Sequence, residues 1–142
     1  MQTNVMFYLL DDSAPLSHCA CLQAAYFYRQ NRKVFIFTKD QEQAHAIDEL
    51  LWSFDADSFV PHHLTGEGPH YGSAVEISWK TPSDRRPVLI NLTSSVPDFA
   101  NKFTHIVDFV PHDEKLKQQA RERFKACRQL GFTVDTQKLA YT

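Results

Sequence analysis

The residues whose types are best suited to metal binding or catalysis are the histidines near the middle of the chain. Residues 53–70, "SFDADSFVPHHLTGEGPH", contain His62, His63, Glu67 and His70. Imidazole and carboxylate groups are common zinc ligands. However, their spacing matches no zinc pattern such as HExxH, and adjacent histidines in an extended loop point to opposite sides. We therefore expect ordinary loop histidines and no metal site.

The cysteines and serines also give little support for catalysis. Cys19 and Cys21 lie two positions apart in a predicted helix, where their side chains diverge by about 200°. With Cys127 the chain has three cysteines, an odd number that argues against a disulfide framework. Ser73 follows Gly72 without a GxSxG context, and no pair of carboxylates suggests acid–base work. We predict buried cysteines, no catalytic residue and no cofactor.

A basic stripe near the C-terminus is the strongest functional signal. Lys117, Arg121, Phe124 and Arg128 are spaced so that they share one face of a helix, and Lys125 lies at its margin. Residues 113–128 carry a net charge of +3, which leaves −5 for the rest of the chain. The neighbouring face, with Leu116, Ala120 and Cys127, is expected to pack on a sheet.

Three interpretations of this stripe are open. Cations beside an aromatic ring suit an acidic peptide that ends in an aromatic residue and a free carboxylate. They also suit the phosphates of single-stranded DNA. The third interpretation is a solvated helix face that contributes only solubility.

Hydrophobic patterning predicts the elements that position these residues. Apolar runs at 5–10, 34–37, 87–92 and 105–110 predict buried strands, and alternation at 75–79 predicts another. Helices are predicted over 14–32, from a capping box at 40–43 onward, over 96–103 and over 114–130, with Gly131 as the last C-terminal cap. Alternating strands and helices predict a three-layer α/β/α fold with a mostly parallel, mixed central sheet.

Such a fold is Rossmann-like, but the nucleotide motif is missing. The first strand-to-helix turn, "LLDDSAPLS", contains no glycine, and the acidic side chains of Asp11 and Asp12 would repel phosphates. A nucleotide- or metal-dependent α/β enzyme using His62, His63 and Glu67 is therefore only an alternative hypothesis.

Bulk properties favour one globular domain over residues 1–142. The chain is 43% hydrophobic and 23% charged, with a net charge of −2. The hydrophobic and charged fractions are close to the average of globular proteins. The net charge argues against general nucleic-acid affinity. No apolar run approaches the roughly 20 residues of a membrane span, and the N-terminus lacks a signal-peptide pattern. We expect a cytoplasmic protein without membrane contact.

Several long segments resemble the chi subunit of bacterial DNA polymerase III. They are "MFYLLDD", "DELLWSFDADSFVPHHLTGEGP", "VEISW" and "FTHIVDFVPHDEKLKQQARERFKACRQLGF". The resemblance spans nearly the whole chain in order and is weaker over 13–30 and 80–86. It implies a non-catalytic accessory of the clamp loader, with an α/β fold and a mostly parallel sheet.

The resemblance also implies partners and site residues. The surface that binds the psi subunit, and that an accessory helicase would also use, would consist of Trp52, Phe59, Val60 and Pro61. The acidic, phenylalanine-ended tail of single-stranded-DNA-binding protein would be held by Val110, Lys117, Arg121, Phe124 and Lys125, and Arg128 joins this set by geometry. Phe124 replaces the tyrosine that is usual in the family.

The leading prediction is therefore a non-catalytic replication protein with two docking surfaces. One surface binds psi and the other binds the tail of the single-stranded-DNA-binding protein, so that DNA is contacted only indirectly. Direct binding of single-stranded DNA remains an alternative.

Overall fold

The structure, a computed structural model, describes residues 2–11, 14–53, 60–67, 73–83 and 85–139. Its elements alternate along the chain as the hydrophobic pattern predicts. In order they are β1 (Asn4–Leu9), α1 (Leu16–Arg29), β2 (Val34–Phe37), α2 (Gln41–Ser53), β3 (His62–Leu64), β4 (Val75–Ser78), β5 (Val88–Asn91), a 3-10 turn (Ala100–Lys102), β6 (His105–Val110), α3 (Glu114–Gln129) and β7 (Thr133–Lys138).

The described strands form one seven-stranded sheet in the order β3-β4-β2-β5-β6-β1-β7. Every described strand pair is parallel. The register brings the strand ends level, with Val34 opposite both Val75 and Val88. The predicted three-layer α/β fold is confirmed, and the sheet is parallel throughout the described strands rather than mixed.

Two apolar cores lie on opposite faces of the sheet. Successive residues of a strand point to opposite faces, and in β2 Ile36 joins one core while Phe35 joins the other. The core around Ile36 is covered by α1 and α2. The core around Phe35 is covered by the 3-10 turn and α3, through Ala100 and Cys127.

Helix α3, which carries the basic stripe, has well-defined ends. The Asp113 carboxylate accepts a hydrogen bond from the Leu116 N–H at 3.0 Å and caps the helix. At the other end Gly131 has φ +84°, and the Phe132 N–H reaches back to the Cys127 carbonyl. This geometry suits glycine and turns the chain directly into β7.

The structure corrects several element boundaries. Residues 62–64 and 133–138 form strands that the sequence did not predict. Helix α1 begins at Leu16 and ends at Arg29, inside the predicted range, and the predicted helix over 96–103 is reduced to a 3-10 turn. Among the described residues no helix is long and apolar enough to cross a membrane.

Candidate protein-docking groove

The six residues predicted to bind a partner tail line one groove. It runs between α3 and the ends of β1 and β6 and encloses about 580 Å³. The six are Val110, Lys117, Arg121, Phe124, Lys125 and Arg128. We call this feature the α3 groove. Helical spacing brings five of them together, and Val110 joins because β6 ends beside the first turns of α3.

The wall of the groove is strongly cationic. Lys117 Nζ lies 3.6 Å from the Glu114 carboxylate, a pair one turn apart on the helix. Arg121 donates a hydrogen bond of 3.3 Å to the Gln118 amide oxygen. Within the described part of the chain, Arg121, Lys125 and Arg128 form no ion pair. Three cations therefore face the groove without a carboxylate partner there, which suits an anionic ligand.

The floor of the groove is apolar. Phe124 is half-buried, with its ring centroid 5.4 Å from that of Phe7. The Arg128 guanidinium lies 5.9 Å from the centre of the Phe124 ring, within cation–π range. Leu9, on β1, is 41% exposed and lines the same space. A flat apolar side chain with a nearby negative charge is the ligand that this arrangement fits.

Phe7 and Leu9 were not predicted as groove residues. Both lie in the first apolar run, which the sequence identifies only as a buried strand. Their position beside α3 follows from β1 pairing with β6 and β7. The signal available in the sequence was the period-2 alternation that places Phe7 and Leu9 on the same face of the sheet.

Arg123, which lies among the groove cations in sequence, faces the other way. Its guanidinium donates to both oxygens of Asp108, at 2.9 and 3.0 Å, and to the Phe109 carbonyl at 3.1 Å. Both charged residues are buried. Burial raises the pKa of the Asp108 carboxyl, and the pairing with Arg123 acts in the opposite direction. This pair fastens α3 to β6.

The structure corrects the prediction for Leu116. This residue was expected to pack on the sheet, but 43% of it is exposed.

The residues of the predicted psi-facing surface differ in exposure. Trp52, at the end of α2, is 62% exposed, so it does not close the core. Pro61 is partly buried. Val60 is fully buried in the core around Ile36, so its side chain is not a surface group. Phe59 lies outside the described residues.

The histidines of the same region are held by ordinary hydrogen bonds. His62 Nδ1 donates to the Val60 carbonyl at 2.7 Å, and its ring lies 5.0 Å from that of Trp52. His63 hydrogen-bonds the Ser73 hydroxyl at 2.6 Å. His70 lies outside the described residues. In the part of the chain that is described, no group of three or more His, Cys, Asp or Glu side chains could hold a metal ion.

All three cysteines, Cys19, Cys21 and Cys127, are buried, as predicted. Burial raises the pKa of the Cys21 thiol to about 12 and that of Cys127 to about 11. Burial also raises the pKa of Cys19. Nucleophilic cysteines need the opposite shift.

A solved structure shares the fold of this protein. The crystal structure of T4 UvsW superposes with a TM-score of 0.65 at 9% sequence identity. The match covers 97% of this chain but only 41% of that longer chain. At this identity the likeness concerns the fold alone.

Sequence comparisons are far more specific. DNA polymerase III subunit chi of Escherichia coli strain K12 is 47% identical, over 94% of this chain and 96% of its own length. The subunit chi of Haemophilus influenzae is 43% identical over 98% of this chain and 99% of its own. That of Pseudomonas aeruginosa is 30% identical over 96% of this chain and 97% of its own. Residues 1–135 also match the family model described as DNA polymerase III chi subunit, HolC. The chain therefore belongs to the DNA polymerase III chi subunit family, whose members are accessory proteins of DNA replication.

Proposed function

We propose that this protein is a non-catalytic bridge in the cytoplasm between the clamp loader and DNA coated by single-stranded-DNA-binding protein. The α3 groove would hold the acidic, phenylalanine-ended tail of the coating protein. A second surface, around Trp52, would dock on the psi subunit, or on an accessory helicase that uses the same residues. Residues 1–142 would act as one domain.

The observation that carries the proposal is the composition of the α3 groove. Three cations that form no ion pair within the described residues, Arg121, Lys125 and Arg128, stand beside an apolar floor that includes Phe124 and Leu9. Side-chain carboxylates and a terminal carboxylate would meet Arg121, whose planar guanidinium can bind a carboxylate through two hydrogen bonds. An aromatic ring would meet the apolar floor. Bare single-stranded DNA offers phosphates to the cations and bases that can stack on Phe124, so binding to a bare oligonucleotide is tested separately.

Calorimetry with an acidic peptide that ends in phenylalanine tests the groove. We expect Arg121→Ala to weaken binding by about 2 kcal/mol, the usual scale for a charged hot spot. Binding should also weaken with added salt, because the ligand is acidic. Arg29→Ala, which removes an exposed arginine at the end of α1, is the matched control and should leave the affinity unchanged.

Two results would count against this assignment. One is an Arg121→Ala variant that binds the peptide as tightly as the unmodified protein. The other is an unmodified protein that binds bare single-stranded oligonucleotide tightly but does not bind the peptide, together with an Arg121→Ala variant that no longer binds the oligonucleotide. The second result would favour a direct DNA binder.

The second surface is tested by comparing the Trp52→Ala and Arg121→Ala variants for the partner that each one loses. In a pull-down with purified psi, Trp52→Ala should lose psi and retain the tail peptide, whereas Arg121→Ala should lose the peptide and retain psi. Loss of both partners in both variants would contradict two separate surfaces.

A further inference from the structure

A second cleft lies on the other side of the first turns of α3. It encloses about 350 Å³ at the carboxyl ends of β2, β5 and β6. Its apolar lining comes from Leu16, Leu92, Phe109, Pro111 and Leu116. Polar side chains complete the lining, among them Lys39 and the buried Asp108–Arg123 pair. We call it the Leu116 cleft. Pro111 lines both this cleft and the α3 groove, so the two are neighbours around the start of α3.

Leu116 is the unusual residue of this cleft. The helical pattern predicts that it packs on the sheet, yet 43% of it is exposed. Phe109 and Leu92, which line the same cleft, are 2% and 8% exposed. The cleft therefore offers a continuous apolar side beside its polar groups, and that side can bury an incoming apolar side chain.

We propose that the Leu116 cleft is a second subsite for the same partner tail and takes an apolar side chain upstream of the terminal aromatic residue. This proposal rests on the proposed function of the α3 groove. Leu116 and Phe124 are eight positions apart on α3, which corresponds to about 12 Å along the helix. An extended peptide spans roughly 3.3 Å per residue, so about four residues cover this rise. With the terminal ring at Phe124, residues about four to six positions before it reach the cleft.

The charges around Pro111 define which residue type the cleft prefers. The Asp113 carboxylate is engaged by the Leu116 N–H, and the exposed Glu114 lies beside Lys117. These two carboxylates disfavour an acidic residue at the point of crossing. Inside the cleft Asp108 is paired with Arg123, which leaves Lys39 as the other charged lining residue, whereas the α3 groove is lined by Lys117, Arg121, Lys125 and Arg128. The acidic residues of the tail would therefore stay mainly in the α3 groove, and an apolar residue would enter the Leu116 cleft.

Matched peptides and a matched pair of variants test this subsite. The probes are ten-residue acidic peptides that end in phenylalanine and carry either leucine or serine at the fourth, fifth or sixth position before it. We expect the best leucine peptide to bind on the order of fivefold to tenfold more tightly than its serine counterpart, the scale of a partly buried leucine. Leu116→Gln should reduce this preference below about twofold.

The controls separate this proposal from the proposed function. Leu130→Gln makes the same change at a leucine that is 58% exposed at the far end of α3, and it should keep the leucine preference. Arg121→Ala should weaken both peptides equally. A leucine preference that survives Leu116→Gln, or no preference in the unmodified protein, would overturn the second subsite. Unchanged affinity in Arg121→Ala would instead overturn the α3 groove assignment.

Discussion

At the scale of single residues, neighbouring arginines on α3 have opposite roles. Arg121 is exposed and faces the α3 groove, whereas Arg123 is buried against Asp108. Positions two apart on a helix differ by about 200° in direction, which explains the separation. A buried ion pair adds little net stability over apolar residues, but breaking it leaves an uncompensated charge.

Removal of Arg123 should therefore destabilise the fold strongly. We expect Arg123→Ala to lower the free energy of unfolding by about 3–5 kcal/mol at neutral pH. Arg121→Ala is the matched control and should change it by no more than about 0.5 kcal/mol. Urea denaturation of the two variants measures both values, and an equal effect of the two substitutions would contradict the assignment.

The same variant should show a diagnostic pH dependence. Burial raises the pKa of Asp108, and without Arg123 only the hydrogen bonds from the Phe109 N–H and the Asn91 side chain oppose the rise. A carboxyl whose pKa is higher in the folded state than in the unfolded state favours folding at low pH and loses this contribution as pH rises. The deficit of Arg123→Ala should therefore shrink between pH 7 and about pH 4.

At the scale of elements, the ends of α3 connect the groove to the sheet. Gly131 ends the helix in a left-handed conformation, and β7 then runs beside β1 and supplies Thr136 to the α3 groove. A Cβ atom on Gly131 would meet nothing within 4 Å. The cost of a substitution there is therefore one of backbone conformation rather than packing.

We expect Gly131→Ala to destabilise the protein by about 1–2 kcal/mol in thermal or urea unfolding, because L-residues disfavour positive φ. Asn31 also has a positive φ, of 61°. Asn31→Gly is the reciprocal control and should be nearly neutral, because glycine adopts this region readily. A neutral Gly131→Ala would show that α3 can end in another conformation.

At the scale of the whole molecule, the strand order separates the two proposed docking surfaces. Trp52 contacts His62 on β3, at one edge of the sheet. The α3 groove lies over β6, β1 and β7, at the opposite edge. With about 4.8 Å between adjacent strands, the five spacings from β3 to β1, the middle strand beneath the groove, amount to roughly 24 Å. A bridging protein needs such a separation, since each partner must leave room for the other.

The two partners should therefore bind without competition. In calorimetry, the affinity for the acidic tail peptide should be the same, within about twofold, for the free protein and for its complex with psi. Trp52→Ala, which is expected to lose psi, serves as the control for any effect of psi on the peptide titration. Competition between psi and the peptide would place both partners at one edge and contradict the arrangement.

The sequence by itself determined the stripe on α3 and those helices and strands that have a clear pattern of apolar residues. Buried strands such as 34–37 are continuous apolar runs, and the helical spacing of Lys117, Arg121 and Phe124 is fixed by local geometry. Both β3 and β7 were missed. β7 is an exposed and largely polar edge strand, and its pairing is decided by the backbone of β1 rather than by an apolar pattern of its own.

Only the tertiary structure decided which distant residues share a surface. It placed Phe7 and Leu9 under α3, turned Arg123 inward to Asp108 and buried Val60 while leaving Trp52 exposed. Each of these outcomes depends on strand order and on contacts between residues far apart in the chain. Helical and strand periodicity fixes the direction of a side chain relative to its own element, but the neighbours of that element are selected by the packing of the whole sheet.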